Sequence, residues 1–590
     1  MLRKIFLIIF FVSHLSKVLA GNKYVAHSKD ELKAYVNSLL PGDTLELANG
    51  QYELGYITIA GINGTAEEPI VIKSQAVGGA VLTGNSYFTL RKISHVILKG
   101  FDFRSESGTV IKLEACNHVR ITRNFFRLNE TKSAKWIIVG GKWDEPYATS
   151  SYNRIDHNLF ENKTQPGNFI TLDGTPKPTS IPSKYDRIDH NYFRNNKPRV
   201  VNEKESVRLG QSELSWDSGF TVVEYNLFEE CDGDPEIVSV KTSEDTIRFN
   251  TFIRSKGTLC LRQTKNSVVY GNYFLGYNVD STGGIRMYGY GHKIYNNYFH
   301  DLQGEKWDAA ITITNGDVEN TSTSYSSHMR PENIIVCFNS FINVEHPVEI
   351  GYTNNDSYKK APRNIMFSNN LVVSNGTNPI IKIISKPEGL LLENNAFAVT
   401  DSVYVGVPFT KNEIELIDDP SLVMNDGVYQ ISAKSPTVNK GNNHYPFVNY
   451  DIEGQQRDTM PDIGADELSM FPKSNYLLTP DKVGPYAAED DIETSVREYD
   501  VPSHDFELMN NYPNPFNSTT NIVFIVNKKG LYILKIYDIL GREVAKLLNK
   551  ELLPGKYTVQ FVADKIASGK YFCKIEGPSG HKILKIVYLK

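Results

Sequence analysis

A short apolar segment followed by Asn-x-Phe, or a close variant, recurs along most of this 590-residue sequence: "ITRNFF", "IDHNLF", "IDHNYF", "VEYNLF", "IRFNTF", "VYGNYF", "IYNNYF", "VCFNSF" and "ENNAF". The motif asparagines are Asn124, Asn158, Asn191, Asn226, Asn250, Asn272, Asn297, Asn339 and Asn395, with a weaker copy at Asn369 and Gly100 in the same slot of "LKGFDF". The tightest spacings are 24, 22 and 25 residues, and the longer ones read as the same unit with loop insertions. Repeats of this length mean a solenoid, in which each unit buries its apolar face only against its neighbours. β-branched and aromatic residues alternate and no 3.6-residue pattern persists, so the units are strands. Asparagine tolerates the left-handed backbone of a tight bend, and identical side chains stack there from coil to coil. The expected fold is all-β, a parallel β-helix rather than a leucine-rich horseshoe or a propeller. Before the repeats, "SKDELKAYVN" predicts a helix with Ser28 as N-cap and Glu31 at the capping-box position, covering the open apolar end of the solenoid.

The flanks read differently. "MLRK", "IFLIIFFV" and Val18-Leu19-Ala20 form the basic start, apolar run and cleavage site of a signal peptide over 1–20, so an exported protein is expected. No later stretch reaches about 18 uninterrupted apolar residues, and no transmembrane segment is expected in the mature protein. With 63 basic and 68 acidic residues, the net charge of -5 lacks the basic excess of a nucleic-acid binder. Five scattered cysteines make no disulfide framework; each reads as a small buried residue, with Cys231 open to question for its acidic neighbours. The repeat fades near 400, and "DIGADE" at 462–467 reads as its closing segment. The expected organisation is a signal peptide over 1–20, a β-helix over 21–470, a linker over 471–505 and a small β-sandwich over 506–590.

Chemistry concentrates around "CDGDPEIVSVK", residues 231–241. Lys241 and Arg262 are 21 residues apart and Arg286 follows 24 later, close to one coil each, so the three cations are expected to line one groove. Asp234 and Glu236, two apart, share a face of an extended segment, and with Asn202 from an earlier coil they make an oxygen set suited to Ca²⁺. Lys241 is five residues beyond Glu236, so both reach one site only if a bend or bulge intervenes. The plainer readings are a polar turn at Asp-Gly-Asp-Pro and a solvated lysine.

The segment 202–299 resembles the core of polysaccharide lyase family 6, the alginate lyase and chondroitinase B group. The matching runs are "NEKESVRLG", "NLFEECDGDPEIVSVK", "GTLCLR" and "GGIRMYGYGHKIYNNYF", and the similarity extends over roughly 24–468. The resemblance implies a right-handed parallel β-helix that cleaves acidic polysaccharides by β-elimination. It places the catalytic base on Lys241, the acid or stabilising arginine on Arg262, calcium ligands on Asn202, Asp234 and Glu236, and a substrate-contacting arginine on Arg286. Gln263 and Arg208 are further substrate-binding candidates; for Arg208 a structural surface role stands equally. Three departures from the family pattern stand out: Asp234 where glutamate is usual, Gln263 where histidine is common, and Asn-Glu-Lys-Glu at 202–205 where Asn-Gly-Gly-Glu is usual, which brings Glu203 and Glu205 near the metal position. Alginate is the first substrate implied and dermatan sulfate the alternative. A glycoside hydrolase using Asp232, Asp234 and Glu236, and a non-catalytic glycan binder, are the rival readings. From 506 onwards the tail resembles a type IX secretion C-terminal sorting domain, on "YPNPFN", "IYDILGREV" and "ASGKYF". That implies the type IX machinery as partner and a secreted or cell-surface location.

Overall fold

The structure is a computed structural model. It describes residues 21–589 apart from 143, 146, 176–178, 216, 321–326, 375, 377, 400–404, 489–505 and a few positions further on (513, 515, 527, 539–541, 554, 564–565 and 579). The signal segment expected over 1–20 lies outside the described residues. Two compact units are present, and the candidate site lies wholly in the first.

Between Lys23 and Ile417 the chain winds through three parallel sheets of 14, 12 and 14 strands, which is the right-handed parallel β-helix expected. One coil, for example, runs from Thr246–Arg248 in the first sheet through Thr251–Ile253 in the third to Gly257–Leu261 in the second. At the bend between the first and third sheets stands the asparagine ladder. The backbone N–H and the Nδ2 of each asparagine donate to the Oδ1 of the next at 2.9–3.1 Å, as from Asn226 to Asn250, Asn250 to Asn272 and Asn272 to Asn297. The aromatic residue two positions on points inward: Phe126, Phe160, Phe193, Phe228, Phe252, Phe274 and Phe299 stack with ring centroids 4.6–5.0 Å apart.

The bend itself differs from expectation. The left-handed residue is the one before each ladder asparagine, such as Arg123, His157, His190, Tyr225 and Phe249 at φ 51–56°. The asparagine is wanted for its amide, which satisfies buried backbone groups that no neighbouring strand reaches. By the same register Gly100 matches Arg123, and Phe101 fills the ladder slot, its N–H donating to Asn124 Oδ1. Likewise Asn370, not Asn369, carries the ladder between Asn339 and Asn395.

The cap helix spans Lys29–Val36, with Leu32 and Val36 in the solenoid core. Ser28 Oγ accepts from the Glu31 N–H at 3.2 Å, while Glu31 reaches back to the His27 N–H, one residue before the N-cap.

Past the last coil the chain turns back along the outside of the third sheet. Ile431 and Ile463 pack on Leu371 and Ala396; Ile452 and Ala465 pack on Tyr273, Tyr298 and Ile342; Leu478 and Val483 pack on Phe125, Leu159, Tyr192 and Leu227. "DIGADE" is thus part of a flanking strap, not a further coil. Residues 471–488, read from the sequence as the start of a linker, are the last stretch of that strap. Their apolar side chains find a hydrophobic row to cover, and the Leu478 N–H donates to Thr251 Oγ1 at 3.1 Å.

The second unit contains a three-stranded and a four-stranded antiparallel sheet between Phe506 and Tyr588. Phe524, Tyr532, Leu534, Ile536, Cys573 and Ile586 fill the space between them, as in a β-sandwich. Among the described residues no helix is long and apolar enough to cross a membrane.

Candidate active site

The second sheet carries the site. Its strands Val207–Leu209, Glu236–Val240, Gly257–Leu261 and Thr282–Met287 run side by side, and Arg208, Ser239, Cys260 and Arg286 form one outward row. Lys241, Arg262 and Tyr288 follow directly after their strands, with their N–H groups donating to Leu209, Val240 and Leu261. They form the next outward row. The three expected cations therefore do not share a single row: Arg286 stands beside Cys260, and Tyr288 takes the place after Arg262. The irregularity between Gly257 and Leu259 lengthens that coil, so 24 residues fall short of one full step.

The bulge required between Glu236 and Lys241 is present. Glu236 pairs with Thr258 and Val238 with Leu259, leaving Ile237 as the extra residue. Ile237 and Val238 both enter the core, which reverses the alternation and puts Glu236 and Lys241 on one side.

Glu236 is the hub. Its Oε1 accepts from Arg286 at 2.6 Å and faces Arg262 Nε at 3.2 Å, and its Oε2 accepts from Ser239 Oγ at 2.6 Å. Burial alone would raise its pKa, but Arg262, Arg286 and Lys241 together hold it down to about 2. Asp234 goes the other way, pushed up to about 7 by burial and then by Glu205 and Glu236. Glu205 is buried and lies 3.9 Å from Lys241 Nζ. Asn202 is exposed, on the segment whose Lys204 N–H donates to Asp234 Oδ2 at 3.2 Å. Glu203 is also exposed, at φ 65°. The half-buried Asp232 accepts from the Lys256 N–H at 2.8 Å and serves the turn.

The remaining predicted residues are placed as follows. Arg286 is buried, its Nε donating to Cys260 Sγ at 3.2 Å and its guanidinium over the Trp307 ring, so it holds Glu236 in place rather than facing solvent. Arg208 NH2 donates to Asp173 Oδ1 at 3.0 Å and borders a depression of about 610 Å³ together with Lys132, Lys135, Asn168 and Glu203. Gln263 is buried and its Nε2 donates to the Ser327 carbonyl at 3.0 Å.

That last contact exposes what sequence reasoning missed. Gln263 ties down the segment carrying His328, whose ring packs 4.6 Å from Tyr288 and whose Nδ1 is 2.6 Å from Tyr358 Oη. Burial and the Arg262 charge push His328 down to about 3, so the ring is neutral. Burial pushes Tyr288 up to about 12, with Arg262 over its ring. No motif announces His328; Tyr288, on which its ring packs, is 40 residues earlier, across a long insertion. All five cysteines are buried and unpaired, and Cys231, the questioned one, belongs to the core.

The family described as chondroitinase B matches residues 26–433, and the secretion system C-terminal sorting domain matches 510–589. The alginate lyase AlyGC of polysaccharide lyase family 6 superposes with a TM-score of 0.61 at 26% identity, covering 76% of this chain. This chain spans 59% of the length of that enzyme. A mannuronic acid specific family 6 lyase from human gut microbiota gives 0.58 at 26% identity, covering 68% of this chain and 91% of its own. A family 6 lyase of Pseudopedobacter saltans, at 20% identity and 0.54, shares the fold. Among curated proteins none matches.

Proposed function

We propose, from the premise that this chain belongs to the chondroitinase B family, that it is an exported lyase cleaving a uronate-containing polysaccharide by β-elimination. The observation that carries the reading is one row of outward side chains, Lys241, Arg262 and Tyr288, set beside a buried carboxylate cluster.

Elimination needs three things: a base for the C5 proton, charge stabilisation at the substrate carboxylate, and a proton for the departing O4. Lys241 is the base, as a flexible amine at the row's edge. Arg262 supplies fixed positive charge. Although burial opposes it, Glu236, Cys260 and Tyr288 raise its pKa, so it stabilises rather than donates a proton. The protic group beside it is the Tyr288 hydroxyl, protonated at neutral pH and buried beneath Arg262 and His328, and it is assigned the proton for O4 once substrate displaces the side chains over it. Arg286 acts through Glu236, which it fixes.

The donor types suit a calcium ion: Glu205, Asp234 and Glu236 are buried carboxylates, and although Arg286 and Arg262 already hold Glu236, a divalent cation would relieve the repulsion that Glu205 and Glu236 exert on Asp234. Asp234, Glu236 and Asn202 would hold it, with Glu205 beside them. When bound, calcium supplies positive charge to the substrate carboxylate.

Alginate is the first substrate proposed, supported by the 26% identical alginate lyase and the 26% identical mannuronic acid specific lyase, with dermatan sulfate the alternative supported by the family match. The C-terminal sorting domain supports release or attachment outside the cell through the type IX route. A substrate panel followed at 235 nm, with and without chelator, tests the proposal. Unsaturated product from one uronate polymer is expected, lost by about 10²-fold or more in Lys241→Ala. Reducing ends without absorbance would instead identify a hydrolase, and a Lys241→Ala variant of normal rate would sink the assignment of the base.

A further inference from the structure

A second acidic cluster lies away from the second sheet, where the returning strap crosses the third sheet. Asp451 and Glu453 are buried and Asp466 nearly so, and one carboxylate oxygen of each lies within 4.8 Å of the others. That is the largest separation two oxygens can have on opposite sides of one ion at about 2.4 Å. Part of this group is explained by the strap itself. Asp451 Oδ1 accepts from the N–H groups of Glu453 and Gln455, and its Oδ2 from that of Glu467; Asp466 Oδ2 accepts from the Ile431 N–H. Lys473, at 2.8 Å, and Gln430 Nε2 both donate to Glu453 Oε1. Among the described residues, Glu453 Oε2 and Asp466 Oδ1 accept no hydrogen bond.

The floor of the cluster supplies an independent observation. Tyr273, on the third-sheet strand Tyr273–Leu275, is 1% exposed, and its hydroxyl is a buried polar atom without a hydrogen-bond partner. Its ring packs in one apolar group with Ile452 and Ala465, the chain neighbours of the three acids. The hydroxyl is close enough to Glu453, Asp451 and Asp466 for all three charges to raise its pKa, after burial itself. A buried phenol beside three carboxylates would ordinarily donate to one of them. Here the hydroxyl, buried within the field of all three, makes no such bond.

We propose that Asp451, Glu453, Asp466 and the Tyr273 hydroxyl bind a structural divalent cation, with Ca²⁺ the ion of matching chemistry, which fastens the strap to the solenoid. The donor set is all oxygen, and Ca²⁺ accepts the irregular geometry and the extra water or carbonyl ligands that a strap crossing a sheet can offer. The ion joins two segments more than 170 residues apart, so its binding stabilises the folded chain by linkage. The site is separate from the carboxylates beside Lys241 and does not depend on the lyase assignment.

The test counts calcium on the full-length protein. After equilibrium dialysis against calcium, Asp466→Asn and Asp451→Asn are expected to carry one ion fewer per chain than the unsubstituted protein. They should also lose a calcium-dependent rise in Tm that Asp234→Asn retains. Tyr273→Phe keeps the ring packing and guards against a variant that fails to fold; tyrosine-sensitised terbium emission, displaceable by calcium, should fall in it. Calcium content and a Tm response equal to those of the unsubstituted protein in Asp451→Asn and Asp466→Asn, with terbium emission unchanged in Tyr273→Phe, would overturn the site and leave the cluster to protons, Lys473 and Gln430.

Discussion

His292 illustrates how a single buried ring sets a pH limit. Its Nδ1 accepts from the Ser267 N–H at 3.2 Å, which requires the neutral ring, and its Nε2 donates to the Tyr288 carbonyl at 2.9 Å, which fixes the tautomer. Burial pushes its pKa from 6.5 down to about 4. The folded chain refuses a proton that the unfolded chain accepts below 6.5, so the stability that the neutral ring provides at neutral pH is lost as pH falls from 6.5 to about 4 and then levels off. The loss expected is on the order of 3 kcal/mol. Denaturant midpoints across that window should fall more steeply for the native protein than for His292→Gln; parallel curves would refute it. At the same scale, Tyr288→Phe removes the proposed proton donor and leaves the ring under Arg262. A drop of about 10²-fold in kcat with little change in KM is expected from steady-state kinetics.

At the scale of elements, the ladder and the bulge do most of the positioning. Asn250 Oδ1 receives both the N–H and the Nδ2 of Asn226, and its own Nδ2 reaches Val223, Arg248 and Asn272. Asn250→Ala orphans several buried groups at about 1–3 kcal/mol each, so a loss of at least about 3 kcal/mol in chemical unfolding is expected. Much of this was legible in the chain: the period, the inward aromatic and the need for a bulge between Glu236 and Lys241 follow from spacing and parity alone. The left-handed residue was misplaced by one, because an asparagine is equally at home in a bend and in a hydrogen-bonded ladder, and only the register separates the two. The row containing Arg286 was misjudged for a related reason, since an irregular strand changes the coil length that spacing had assumed constant.

On the scale of the whole molecule, the strap from 450 to 488 decides where the first unit ends. A chain stopping at 470 would uncover Phe125, Leu159, Tyr192 and Leu227, whereas one stopping at 488 keeps Leu478 and Val483 over them. The shorter chain is expected to melt lower and aggregate, and the longer to match the full protein in thermal unfolding and in product formation at 235 nm. Leu478→Ala in the full chain should cost about 2–5 kcal/mol, as for other buried leucines. Composition hid this boundary, because a Pro-rich, aperiodic stretch reads as linker whether or not a hydrophobic row awaits it.

By itself the sequence determined the solenoid, its inward and outward faces and the residue types at the site, because these depend on periodicities within a coil or between adjacent coils. Only the tertiary structure decided that Arg286 is buried against Glu236, that Gln263 brings His328 to Tyr288, and that Asp451, Glu453 and Asp466 meet over Tyr273. Each of these joins segments separated by insertions of unequal length. Over such distances the position of a side chain depends on packing and register, and spacing along the chain no longer reports it.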